Sequence, residues 1–205
     1  MKEIVTLDEL SRAIPSLLRE DIGSLLNTGT YQYYKLLRGY KITGICPFCQ
    51  VDPKVNKILW ENEHWMIWDN PVGKNDPALG RHLVIPIKGE HHTYLRVLKD
   101  PGVGDAFFEI CCWAQENLGV PDGAIIMRFG NPRKNAGSIR HIHGNIKVPT
   151  GELRYTETLA KDAADLLKKG AKILLWEKMY LAELAGNTDP KSALTPEETA
   201  FLEVK

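Results

Sequence analysis

The stretch RHIHGNI, residues 140–146, decides how the chain is read. Two histidines stand one residue apart, an asparagine takes the next alternate place, and Ile142, Gly144, Ile146 and Val148 fill the positions between and beyond. Successive side chains of a strand alternate faces, so His141, His143 and Asn145 point one way and the apolar set points the other. The apolar side is the core side. Two imidazoles and a carboxamide in line need hydrogen-bond or metal partners if buried; the competing reading is a half-exposed polar face without chemistry.

Working outward, SIRHIHGNIKV (138–148) and AIIMRF (124–129) predict strands joined by the polar loop GNPRKNAG. HLVIPI (82–87) predicts a buried strand after the loop NPVGKNDPALG, and two short strands, 58–60 and 65–68, turn around Asn62 and Glu63. Between Gly104 and Gly119 the positions Phe107, Ile110, Cys111, Ala114 and Leu118 recur at helical spacing, which makes Cys111 a core residue. Helical pieces are expected over 6–40, opened by a Thr6/Glu9 capping box, and over 156–169 and 171–185, separated at Gly170. A last helix starts at the cap and proline of TPEE, 195–198.

With 26 basic and 26 acidic residues among 205, the charge balance argues against a nucleic-acid duplex as partner. No apolar run is long enough to cross a bilayer and the first residues lack a signal-peptide pattern, so the expectation is a cytoplasmic protein that does not enter membranes. Cys46 and Cys49 form C-P-F-C, a spacing common in structural zinc sites, although a redox pair or a turn with two ordinary thiols shares it. No second such pair exists, so two further ligands would have to come from His64, His82, His91, His92, His141 and His143. His64, in ENEHW, is expected at the surface.

From Cys46 to Pro149 the motifs resemble the histidine-triad superfamily of nucleotidyl hydrolases and transferases. WDNPVGKNDPALGRHLVIP is similar to its strand, aspartate, proline and glycine-histidine-apolar-proline run, and GNPRKNAGSIRHIHGN to its asparagine loop, serine and histidine strand. The chain departs from the pattern at Asn145, where the third histidine belongs, in two extra residues after Pro86, and in a loop before Ser138 that is one residue short. The resemblance implies an α+β fold, a histidine-triad-like antiparallel sheet with packed helices over 41–150, flanked by helical extensions at 1–40 and 151–205.

It further implies a nucleotide substrate and a catalytic set of His143 as nucleophile on an α-phosphate, Ser138 and Asn145. Asp69 would grip ribose hydroxyls, while Asn131, His82 and the backbone of Gly144 would contact the nucleotide. Each has a plainer reading: Asp69 and Asn131 precede or start proline turns, Ser138 can end a strand, and His82 can sit at a strand edge. His141 would complete a structural zinc site with Cys46, Cys49 and His91, preferred to His92 because Leu95 follows four residues on as an apolar helix position. The amide at 145 leans toward the branch of galactose-1-phosphate uridylyltransferase and the diadenosine polyphosphate phosphorylases, which carry glutamine there. The alternative is a degenerate nucleotide- or zinc-binding protein acting through a partner, and a homodimer is left open.

Overall fold

The computed structural model describes residues 6–15, 25–26, 28–70, 78–131, 138–151 and 163–203. Two compact units divide the chain: Ile45–Asn135 with Ile139–Thr158, and Met1–Gly44 with Ala136–Ser138 and Leu159–Lys205. Residues 1–44 and 159–205, which include most of the two expected extensions, thus fall in one unit. Described helices are α1 (Leu7–Ala13), α2 (Tyr31–Thr43), α3 (Val103–Asn117), α4 (Ala163–Leu184) and α5 (Pro196–Glu203). None is long and apolar enough to cross a membrane.

The first unit is built on five strands, β1 (Trp60–Glu61), β2 (Met66–Asp69), β3 (Leu79–Pro86), β4 (Ala124–Arg128) and β5 (His143–Pro149). They lie in the order β1-β2-β3-β5-β4 with every pairing antiparallel, so the fold is α+β. The β1–β2 turn is closed by Asn62, whose Oδ1 accepts from the amides of His64 (3.1 Å) and Trp65 (2.9 Å). His64 is half-buried, its ring beside Gly102, rather than a surface residue.

Alternation gives the sheet two faces. On one, Ile67, Leu83, Ile85 and Ile146 meet Val103, Phe107, Ile110, Cys111 and Ala114 of α3, the apolar stripe expected from the helical spacing. Gly144 belongs to this face: a Cβ there would stand 2.6 Å from Cε2 of Phe107, so only glycine lets that ring close on the sheet. On the other face Phe48 packs with Met66, Trp68 and Val84.

β5 starts five residues later than the alternating pattern predicts. Its pairing with β3 ends at Pro86 opposite His143; beyond it the Ile87 amide still reaches the Ile142 carbonyl (3.4 Å), but the Ile87 carbonyl is taken by His141 Nε2 (3.1 Å). His141 consequently lies in a bend outside the strand, and the Ile142 amide donates to the His92 carbonyl (2.8 Å).

In the second unit α4 runs through Gly170, where a break was expected. A helical glycine costs about 1 kcal/mol, and the burial of Ala171, Ile173, Leu175, Met179 and Tyr180 outweighs it. Glu177 of α4 accepts from Nε (3.0 Å) and Nη2 (3.0 Å) of Arg38 and from the Tyr34 hydroxyl (2.5 Å), with Arg38 4% and Glu177 6% exposed. α5 opens as expected, its Glu198 amide donating to Thr195 Oγ1 (3.2 Å) and Glu198 Oε2 accepting from the Thr195 amide (2.8 Å). Glu177→Ala leaves the Arg38 cation buried without its counter-charge and should lower unfolding free energy by about 3–5 kcal/mol in denaturant titration. A loss near zero would mean that water reaches the pair.

Candidate functional site

Two clusters meet at residues 141–145. In the first, one ligand atom from each of Cys46, Cys49, His91 and His141 lies within 4.8 Å of every other. Cys49 Sγ is 3.4 Å from Nδ1 of both His91 and His141, and Cys46 Sγ is 3.6 Å from His141 Nδ1. A tetrahedral ion with sulfur and nitrogen bonds of about 2.0–2.3 Å needs neighbouring donors about 3.3–3.8 Å apart, and these contacts fall in that range.

The protonation states agree with this. His141 Nε2 donates to the Ile87 carbonyl (3.1 Å), which fixes the proton on Nε2 and turns an unprotonated Nδ1 toward the thiols, the usual arrangement of a ligating imidazole. Burial holds His141 neutral, its pKa pushed down to about 4. Burial, and next the neighbouring Cys46, push the Cys49 thiol up to about 12, a cost that a bound cation reverses. The four residues could hold a metal ion. His91 rather than His92 joins them, but not for the reason expected: Leu95 is 37% exposed, and the buried residue of that segment is Val97.

In the second cluster His143 and Asn145 share the face of β5 opposite α3. The His143 Nδ1–H donates to the His141 carbonyl (2.5 Å), which leaves Nε2 carrying the lone pair. Burial first, then the charge of Arg128, holds this imidazole neutral, with its pKa lowered to about 4. Phe48, inside C-P-F-C, lies edge-on to His143 with ring centroids 5.0 Å apart and also touches Trp68. The cysteine turn thus places an aromatic wall against the imidazole.

Asn70 Nδ2 can only donate, so His82 Nδ1 accepts from it (3.2 Å), and the His82 proton sits on Nε2, directed at Asn145 Oδ1 (2.9 Å). Asn145 Nδ2, in a side chain 6% exposed, has no acceptor among the described residues. His82, expected near the nucleotide, is brought to the site. Phe48, Asn70 and Arg128 were not anticipated. The signals for them were faint: an aromatic inside the cysteine turn, an asparagine next to Asp69, and a cation at the end of the apolar run AIIMR.

Three expected residues stand differently. Asp69 has the parity of Ile67, on the α3 side of the sheet, and Arg81 holds both of its oxygens (Nε–Oδ1 2.9 Å, Nη2–Oδ2 3.2 Å) while donating to Leu118 at the end of α3 (2.8 Å). Asp69 thus lies on the face away from His143 and is ion-paired with Arg81. Gly144 pairs with Ile85 on one side and Met127 on the other, so its amide lies within the sheet and cannot hold a ligand over the face. Ser138 belongs to the helical unit, where its hydroxyl bonds that of Tyr33. Asn131 is described beside Gly130, but 132–137 of its loop lie outside the described residues, as do 71–77.

Comparison of the chain with models of protein families and with curated protein sequences returns no match. The metal reading is open to direct measurement. Purified protein should contain close to one metal ion per chain, and at a hundredfold excess of free metal over its Kd the fold should gain about 2.7 kcal/mol. Chelator, or Cys49→Ser, should lower the melting temperature accordingly. A chain that binds no metal and melts unchanged in chelator refutes the cluster.

Proposed function

We propose that the protein is a nucleotidyl transferase or hydrolase that acts on a phosphoanhydride or nucleotide sugar through a nucleotidyl-phosphohistidine, with zinc as a structural ion at Cys46, Cys49, His91 and His141. The observation that carries the reading is the state of His143. Its Nδ1 proton is fixed by the His141 carbonyl, so the lone pair at Nε2 is available for attack, beside an amide with an unused donor.

The electron flow is simple. Nε2 attacks the α-phosphorus, a P–N bond forms, and the P–O bond to the leaving group breaks with its electron pair departing on oxygen. The His141 carbonyl steadies the positive charge that develops on the ring. An incoming oxygen then displaces Nε2, and the lone pair returns to the ring. Asn145 Nδ2 can donate a hydrogen bond to the departing oxygen but no proton at neutral pH, so the leaving group must be stable as an anion. His82 is no base here, because its unprotonated Nδ1 already accepts from Asn70. An acceptor that is itself anionic, such as phosphate, needs no deprotonation, which favours transfer over hydrolysis.

The engagement of Asp69 by Arg81 favours a second reading, nucleotide or zinc binding without turnover. Both meet in one experiment. Wild-type protein quenched in acid-free denaturant should carry a covalent nucleotide by mass spectrometry, and His143→Ala should lose it together with all turnover. Asn145→His should raise hydrolysis of nucleoside phosphoramidates about 10²–10⁴-fold with little gain on anhydrides. No adduct in the wild type, or full activity in His143→Ala, leaves only the binding reading.

A further inference from the structure

We propose that Arg128 and Lys147 bracket the His143–Asn145 column and select a substrate whose leaving group is itself a phosphate, Arg128 meeting the attacked phosphate and Lys147 the departing one. The inference rests on His143 as the nucleophile and adds two residues that set its leaving-group preference.

The register places both cations. Arg128 is directly opposite His143 in the β4–β5 pair, and Lys147 is opposite Ala124 on one side and His82 on the other. Met127 and Val148 pack toward α3, so Arg128 and Lys147, one position removed in each strand, face the side of His143 and Asn145. Directly opposed residues have Cβ atoms about 5 Å apart, which brings the Arg128 stem alongside the imidazole. Both side chains are half-buried. Along β5 the order is therefore nucleophile with a guanidinium beside it, amide donor, ammonium.

The buried, unpartnered Nδ2 of Asn145 supplies the second observation. His82 holds Oδ1, so the amide cannot turn over to present an acceptor, and what completes it must be an acceptor atom. An acceptor flanked by a guanidinium and an ammonium suits an anion's oxygen. In-line attack from Nε2 sends the leaving oxygen toward Asn145, and the charge that departs with it moves toward Lys147. A departing phosphate gains from that ammonium throughout the step, whereas an amine or phenolate has no second charge to present to it.

Two substrates with the same nucleotide separate the roles: a nucleoside 5′-diphosphate, and the p-nitrophenyl ester of the corresponding 5′-monophosphate. Lys147→Gln should lower the ratio of diphosphate to ester turnover about tenfold, the worth of one charge-assisted hydrogen bond, and Lys147→Arg should restore it. Arg128→Gln should lower both rates together, with Arg128→Lys recovering part. Calorimetric titration with inorganic pyrophosphate, in variants whose melting temperature matches the wild type, should show weaker binding in Lys147→Gln and Arg128→Gln, an effect that shrinks with added salt. An unchanged ratio in Lys147→Gln overturns the proposal. If neither substrate turns over, the nucleophile reading fails by itself, and the pyrophosphate titration still decides: equal affinity in wild type and both variants overturns the cationic bracket.

Discussion

The carbonyl and ring of one residue, His141, connect everything at the site. Its Nε2 is tied to the Ile87 carbonyl, its Nδ1 faces two thiols, and its own carbonyl accepts the Nδ1 proton of His143. Each bond fixes the next. The donor role of Nε2 decides that Nδ1 is a ligand atom, and the carbonyl decides which nitrogen of His143 holds the lone pair. A change in the ring of His141 would therefore reach His143 through the backbone as well as through Phe48, which sits within the cysteine turn and against the imidazole. In the function proposed above, metal affinity and nucleophile geometry share a single residue, so a structural metal would also bear on reactivity.

The sheet supplies the second constraint, the strict alternation of its middle strand. Gly144 and Ile146 face α3 while His143 and Asn145 face the opposite way, and neither set can move without the other. The Phe107 ring pressed on Gly144 locks the register that holds His143 across from Arg128 and Asn145 across from Ile126. A slip by one residue would bury two polar side chains under the helix and lift the isoleucines into the site. The hydrophobic core thus holds the polar face in place at no polar contact of its own.

What the sequence made legible follows the same division. Apolar runs recover β3 and β4, and helical spacing recovers α3, closely, because these patterns are the direct trace of burial against the core. The cysteine spacing and the alternate histidines point to the metal cluster because few residue types can ligate. The start of β5 is missed because the Ile142 amide turns to the His92 carbonyl and the His141 ring takes the Ile87 carbonyl, long-range bonds that no local pattern in RHIHGNI records. The Asp69 ion pair is likewise beyond local reading: its partner Arg81 is a cross-strand neighbour that only tertiary pairing reveals. Gly170 misleads because the packing of α4 outweighs a local propensity.

The chain Asn70–His82–Asn145 bears most directly on chemistry. An amide at the end of such a chain has one orientation, since Oδ1 is committed to a donor and Nδ2 must therefore face the site. With a histidine at 145, the ring would meet the Nε2–H of His82 with an acceptor nitrogen and could carry a proton toward the leaving group on the other. With asparagine the same hydrogen-bond chain delivers a donor of fixed direction and no transferable proton. In the proposed reaction asparagine at 145 would therefore stabilise a departing anion by a hydrogen bond but could not protonate a departing base, which would leave the site to substrates whose leaving oxygen needs only the former.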